Sequence, residues 1–146
     1  MSSTTWDQRF MALAEHVGGW SKDRSRQVGC VIVAPDNSVL VIGYNGLPRG
    51  LDDNDESRLS KPAKYRWTEH AERNAIYVAA RHGISIVGCR IYLPWFPCAD
   101  CARGIVQAGL IELVGRQPDL SDPQWGPDFS IAMELLAEAG VVTRFE

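Results

Sequence analysis

The feature that most constrains this chain is a pair of short motifs that can share one metal ion. The first is His70-Ala71-Glu72, and the second, further along the chain, is Pro97-Cys98-Ala99-Asp100-Cys101. One imidazole and two thiolates can hold Zn²⁺ tetrahedrally and leave its fourth position to water. An open fourth position is typical of catalytic zinc, whereas structural zinc is closed by four protein ligands. The pattern therefore predicts that His70, Cys98 and Cys101 bind one catalytic Zn²⁺.

Glu72 stands two residues after the histidine, where its carboxylate fits poorly as a fourth ligand. It fits well as the group that accepts a proton from the activated water and later returns protons to a substrate. The sequence thus predicts a zinc-assisted hydrolysis in which Glu72 serves first as base and then as acid.

Two other uses of a Cys-x-x-Cys motif remain open, a redox pair and half of a structural zinc site. A structural site would need further ligands, and the chain has neither a second Cys-x-x-Cys nor a suitably spaced His pair. Its other thiols, Cys30 and Cys89, lie in apolar strand-like runs, where buried cysteines are common. The catalytic interpretation is favoured.

Length and charge limit the class of protein and of substrate. A chain of 146 residues is long enough for one core, so we expect a single domain over 1–146. The formal net charge of −3 argues against binding nucleic acid and favours a small substrate. No signal peptide and no apolar run long enough for a membrane span is visible, which predicts a cytoplasmic protein without membrane contact.

Hydrophobic periodicity alternates between helix and strand along the chain. Helices are predicted over 6–17, 69–81, 98–108 and 128–139, and strands over 28–34, 39–44, 90–93, 111–114 and 141–145. Thr68 is the expected N-cap of the second helix and Gly83 its stop. Strands that alternate with helices predict a mixed sheet covered on both faces, a three-layer α/β/α sandwich.

The polar segment 45–67 is long for a loop in a compact domain and carries an acidic run. Because it delivers the chain to His70, we favour a loop that borders the site. A solvated excursion without a role is the alternative.

Several runs resemble the cytidine and deoxycytidylate deaminase superfamily, most closely its deoxycytidylate branch. The similarity lies in 26–33 (Arg-Gln-Val-Gly-Cys-Val-Ile-Val), 43–50 (Gly-Tyr-Asn-Gly-Leu-Pro-Arg-Gly), 70–76 (His-Ala-Glu-Arg-Asn-Ala-Ile), 107–109 (Gln-Ala-Gly) and 138–141 (Glu-Ala-Gly-Val). It extends over nearly the whole chain, and the 43–50 element is the most branch-specific part.

The resemblance implies a central five-stranded sheet with helices on both sides, a homo-oligomer, and hydrolysis of deoxycytidine monophosphate (dCMP) to deoxyuridine monophosphate (dUMP) and ammonia.

The chain departs from the family pattern in two places. Residues 52–64 lack the cysteines by which some members bind a second structural zinc, so neither that metal nor the nucleotide regulation associated with the region is expected. Trp95 stands where a small or aliphatic residue is usual, and it can reshape the base pocket.

Substrate contacts follow by analogy with the family. The peptide N–H groups of Ala71 and Cys98, at helix starts, are candidates to hold the base. Asn45 is a candidate for the sugar or the base edge, with a plain turn asparagine as the alternative. A monophosphate needs positive charge, which Arg26 and Arg49 can supply.

Aromatic side chains near the motifs are candidates to stack on the base, although aromatic residues near helix starts are more often part of a core. The candidates are Trp67, Trp95, Phe96 and Trp125.

Two rival functions remain. One is deamination of another amino-heterocycle: deoxycytidine triphosphate, a modified cytosine nucleotide, or a guanine or adenine compound. The other is a zinc-stabilised binding protein that has lost its chemistry, against which the intact Glu72 argues. Turnover separates the two, whereas metal content does not.

Overall fold

A mixed five-stranded sheet forms the centre of the computed structural model, which describes residues 5–146. The strands are β1 (Gly29–Val33), β2 (Val39–Tyr44), β3 (Arg90–Leu93), β4 (Glu112–Gly115) and β5 (Val142–Phe145). Their order across the sheet is β2-β1-β3-β4-β5. β1 runs antiparallel to both β2 and β3, whereas β3, β4 and β5 are parallel to one another. The predicted mixed sheet is therefore confirmed.

Six helices accompany the sheet within the described residues. They are α1 (Trp6–Gly18), α2 (Glu56–Leu59), α3 (Lys64–Trp67), α4 (Ala71–His82), α5 (Ala99–Gln107) and α6 (Gly126–Glu138). None of the helices in this part of the chain is long and apolar enough to cross a membrane.

The burial of β1 explains the layered arrangement. All five of its residues are buried, as an apolar strand inside a covered sheet requires. One face of the sheet packs against α1, where Phe10 and Met11 meet Val31 and Tyr92. Apolar side chains of α4, α5 and α6 pack together with those of the sheet in the second, larger cluster. The α/β/α sandwich expected from the alternating pattern is thus observed.

Close contact between β2 and α4 depends on Gly43. A Cβ atom at this position would lie 2.4 Å from the carbonyl oxygen of Ala71 and 2.7 Å from the backbone nitrogen of Ala75. Both are backbone atoms, so a side chain here would force the helix away from the strand. The bare backbone at Gly43 therefore sets how near the helix that carries Glu72 lies to the sheet.

The start of α4 differs from the prediction. Its N-cap is His70 rather than Thr68. Thr68 is instead the C-cap of α3, and its hydroxyl donates to the carbonyl of Lys64 at 2.6 Å. The end of α4 is as predicted, with Gly83 in the left-handed region at φ 64°. The long loop before it contains α2 and α3, two single turns too short to give a periodic signal.

Candidate zinc and substrate site

The three predicted metal ligands come together at the starts of two helices. His70 is the N-cap of α4, Cys98 is the N-cap of α5, and Cys101 lies in the first turn of α5. Nδ1 of His70 is 3.4 Å from each sulfur, and the three ligand atoms lie within 4.8 Å of one another. Nitrogen and sulfur ligands of a tetrahedral Zn²⁺ are about 3.5 Å apart, given bonds of about 2.05 and 2.3 Å. The donor set and its spacing fit zinc.

Electrostatics at the two thiols also suit a metal. Hydrogen bonds from Cys101 and His70 lower the pKa of Cys98 to about 5, although burial opposes the shift. The pKa of Cys101 is raised, because its thiol donates to Cys98, is buried and lies near Glu72. Hydrogen bonding to Cys98 raises the pKa of His70. Without a metal, the thiol of Cys98 therefore ionises readily, whereas Cys101 holds a proton that a metal ion would displace.

Glu72 lies one residue inside α4 and is buried, with 4% of its surface exposed. Burial raises the pKa of its carboxyl, because the charged form loses hydration. A carboxyl with a raised pKa accepts a proton more readily than an exposed one, which suits a group that takes up and returns protons.

A cavity opens beside these groups, and its buried and exposed walls differ in the residues that line them. Its buried lining includes Ala71, Glu72 and Cys98. Its exposed lining includes Arg26 and Lys61 and contains no acidic residue. The cavity therefore joins a buried carboxyl and two of the predicted metal ligands to a positively charged outer wall.

Comparison with known proteins identifies the family. The family model of the cytidine and deoxycytidylate deaminase zinc-binding region matches residues 4–115. The chain belongs to this deaminase family. Human deoxycytidylate deaminase is 37% identical over 147 residues, which cover 95% of this chain and 78% of the human protein. An uncharacterized deaminase of Aliivibrio fischeri is 38% identical over 137 residues, covering 93% and 90% of the two chains.

A solved structure agrees with this assignment. The dCMP deaminase of the cyanophage S-TIM5, in complex with dCMP and dUMP, superposes with a TM-score of 0.79 at 25% identity over 100% of both chains. The chain is thus a zinc-dependent deaminase, a hydrolase with one Zn²⁺ for which His70, Cys98 and Cys101 are the candidate ligands. Among residues 5–146, these three form the one such cluster of potential metal ligands.

Four of the predicted substrate contacts of this deaminase line the cavity: Asn45, Ala71, Arg26 and Trp95. The side chain of Asn45 is engaged with the backbone, since it accepts from the N–H of Val28 and donates to the carbonyl of Arg26. Asn45 therefore at least holds the loop that carries Arg26.

Two predicted contacts lie elsewhere in this deaminase. Phe96 is buried, 2% exposed, and packs against Phe129 and Phe145, so it belongs to the core and does not line the cavity. Arg49 borders a separate hollow together with Tyr77, on the outer side of β2 and α4. Neither side chain borders the cavity beside the predicted metal ligands. The family motif specifies nearness along the chain, not the direction in which a side chain points.

Two other aromatic candidates are separated by the structure. Trp125 lines the cavity and lies edge-on to His70, with ring centroids 6.4 Å apart. Trp67 is exposed and lies under the guanidinium of Arg58, outside the cavity lining.

Several residues of the cavity wall are not evident from the sequence. Lys61, Lys64 and Tyr65 come from the segment before His70, and Gln124 comes from the loop before α6. Gln124 donates to the hydroxyl of Tyr65 at 3.0 Å, which links the two segments. The length of the 45–67 segment was the available signal, and it supported the correct alternative, a loop that borders the site.

Proposed function

We propose that this deaminase hydrolyses dCMP to dUMP and ammonia. The observation that carries the proposal is the cavity itself. Its buried part contains Glu72 beside the candidate zinc ligands, and its exposed part contains Arg26 and Lys61. A mononucleotide has the matching parts, a neutral base to be buried and a charged phosphate to be met by cations. Deoxycytidylate deaminases among the relatives, and the solved phage dCMP deaminase with dCMP and dUMP, support the same substrate.

We assign His70, Cys98 and Cys101 as the zinc ligands and Glu72 as the proton carrier. Bound Zn²⁺ supplies Lewis-acid activation of the water that attacks the ring. The Glu72 carboxylate would accept one proton from this water and pass it to ring N3, and would then accept the proton that remains on the attacking oxygen and pass it to the departing amine. The amino group leaves as ammonia, and the water oxygen becomes the carbonyl oxygen of uracil.

Binding of the base is assigned to the start of α4. The N–H of Ala71 belongs to the first turn, where backbone donors have no partner within the helix. Such a donor can hold the base and support negative charge that develops on it. Asn45 is assigned to the sugar side of the cavity, in addition to its contacts with the backbone.

Measurement of ammonia release by the zinc-loaded protein tests the substrate. The panel is dCMP, deoxycytidine triphosphate, cytidine monophosphate, deoxycytidine, and guanine and adenine nucleotides. We expect the highest kcat/KM for dCMP. Preference for a purine or for the triphosphate would overturn the proposed substrate while leaving the deaminase chemistry intact. Absence of ammonia release from every compound would favour a binding protein.

The phosphate role of Arg26 has its own test. Arg26→Ala should lower kcat/KM for dCMP by about 10- to 100-fold, since hydrogen bonds to charged groups contribute about 1.5–3 kcal/mol. Arg24→Ala is the matched control, because Arg24 is an exposed arginine of the same loop that pairs with Glu56 and does not line the cavity. An equal effect of Arg26→Ala on dCMP and deoxycytidine would rule out the phosphate role.

The homo-oligomeric state implied by the family resemblance stays a prediction. Sedimentation equilibrium of the purified protein tests it, and a sedimenting mass of 16.2 kDa, that of one chain, would contradict it.

A further inference from the structure

We propose that Trp95 acts as a positioning residue that holds the guanidinium of Arg26 ready for the substrate phosphate. This inference rests on the proposed function, since it assigns a supporting residue to the same phosphate contact. It differs from the expectation that Trp95 stacks on the base. In this arrangement, nucleotide recognition depends on an indole that does not itself touch the phosphate.

The contact between the two side chains is close. The central guanidinium carbon of Arg26 lies 3.5 Å from the centroid of the Trp95 ring. This is well inside the distance of about 6 Å at which a cation is attracted by the face of an aromatic ring, and tryptophan is the strongest partner. Both residues line the cavity. The stack therefore lies in the cavity wall itself.

Stacking leaves the hydrogen-bonding edge of the guanidinium free. Within residues 5–146, the Arg26 side chain makes no hydrogen bond or ion pair, and its backbone alone bonds to Asp23 and Asn45. A guanidinium is planar and carries its N–H donors around its rim, so a ring against its face blocks none of them. Arg26 is thus held in place while its donors stay available to an anion.

The side chain of Trp95 is itself held by a contact with the core. Its indole packs edge-on against Phe129, with ring centroids 5.6 Å apart and an interplanar angle of 67°. Phe129 lies on α6 and is 1% exposed. Trp95 also belongs to the short connection between β3 and Cys98. This connection and the core therefore limit the movement of the indole.

The backbone of Arg26 is fixed as well. Its N–H donates to Asp23 Oδ1 at 3.1 Å, and its carbonyl accepts from Asn45 Nδ2 at 2.9 Å. With the backbone and the far end of the side chain both held, part of the entropy lost on phosphate binding is lost before the ligand arrives. An arginine on an unsupported exposed stem would lose that entropy on binding.

Removal of the aromatic face should therefore weaken phosphate recognition without removing the charge. We expect Trp95→Leu to lower the ratio of kcat/KM for dCMP to that for deoxycytidine by about 3- to 10-fold, mainly through the KM for dCMP. Trp95→Phe, which keeps an aromatic face, should recover part of the ratio. In an Arg26→Ala background, Trp95→Leu should have no further effect on the ratio.

Trp67→Leu is the matched control. Arg58 lies 4.5 Å from the Trp67 ring, so this is a second arginine–tryptophan stack, and neither residue lines the cavity. This variant should keep the wild-type ratio. Zinc content and thermal midpoint, measured for every variant, confirm that the loop before Cys98 is intact.

A spectroscopic readout follows the stack directly. In wild-type protein the ring current of the indole should shift the δ-methylene protons of Arg26 upfield. The shift should disappear in Trp95→Leu and partly return in Trp95→Phe. Loss of the substrate ratio in Trp95→Leu with an unchanged Arg26 signal would overturn the inference.

The outcomes separate this inference from the proposed function. If the wild-type enzyme does not prefer dCMP to deoxycytidine, the proposed function fails. If it does, and Arg26→Ala loses the preference while Trp95→Leu keeps it, the proposed function stands and the positioning role of Trp95 is overturned. If Trp95→Leu lowers activity on both compounds equally, the indole acts on the base instead.

Discussion

Asp23 and Lys64 form an ion pair inside the cavity wall, with Lys64 Nζ 2.8 Å from Asp23 Oδ2 and side-chain exposures of 9% and 3% for Lys64 and Asp23. The lysine ammonium also donates to the hydroxyl of Ser25 at 2.8 Å. The same carboxylate accepts from the backbone N–H of Arg26. One buried pair thus joins the segment before His70 to the loop that presents Arg26.

Removal of the charge of Lys64 alone should destabilise the folded protein. Lys64→Met keeps the length of the side chain but leaves the carboxylate of Asp23 buried without its counter-ion. We expect a loss of about 3–5 kcal/mol in the free energy of unfolding, measured by denaturant titration. Lys22→Met is the control, since Lys22 and Asp53 pair at the surface with exposures of 56% and 51% and should contribute about 0–1 kcal/mol. Equal effects of the two substitutions would contradict the buried role of Lys64.

Acid should unfold the protein partly through Asp23. Burial alone would raise the pKa of this carboxyl, but hydrogen bonds from Lys64 and from the backbone hold the pKa below its ordinary 3.8. A carboxyl with a lowered pKa in the folded state stabilises the protein above pH 3.8, and this stabilisation is lost as pH falls through the folded value. The thermal midpoint should therefore fall with pH in that range, and less steeply in Asp23→Asn. A parallel fall in both proteins would exclude a contribution from Asp23.

Glu72→Gln should separate metal binding from turnover. The amide has the size of the carboxylate but cannot carry the proton, so we expect kcat to fall by at least about 10²- to 10⁴-fold with zinc content unchanged. Ammonia release and metal analysis on the same sample measure both. Asp100→Asn is the control, because Asp100 is an exposed acid of the first turn of α5 that pairs with Arg103. Substantial activity in Glu72→Gln would remove Glu72 from the reaction.

Zinc uptake by the metal-free protein should release protons at neutral pH. Cys98, with a pKa of about 5, is already a thiolate, whereas the raised pKa of Cys101 keeps its proton on until the metal displaces it. Zinc affinity should therefore rise with pH, and binding of each zinc ion should release at least about one proton. Calorimetry in buffers of different ionisation enthalpy measures this number.

Two cysteine variants complete the zinc experiment. Cys101→Ser should lose tight zinc binding. Cys89→Ala should retain it, because Cys89 is buried in the core and does not belong to the cluster of potential metal ligands. Zinc binding to wild-type protein without proton release would contradict the assignment.

The sequence predicted the metal site well because its ligands are read from spacing alone. His70, Cys98 and Cys101 stand at two helix starts, and their motifs reveal them even though capping predicted Thr68 rather than His70 as the N-cap of α4. The layered sheet was predictable for the same reason, since β1 and its neighbours carry continuous or alternating apolar patterns.

The outer wall of the cavity was less predictable because long-range packing forms it. Lys61 and Tyr65 give no periodic signal, and Gln124 reaches Tyr65 across 59 residues of sequence. Phe96 and Trp95 are adjacent in the chain and both pack against Phe129, yet Phe96 also packs against Phe145 in the core, whereas Trp95 lines the cavity.

The bare backbone contact at Gly43 restricts what position 43 can hold. Any side chain there would collide with backbone atoms of α4, so a substitution would move the helix that carries Glu72 away from the sheet. The walls around Arg26, Lys61 and Gln124 are loops, which tolerate substitution and insertion far better. Exchange of these loops would therefore alter which compounds fit the cavity while the distance between the sheet and Glu72 stays the same.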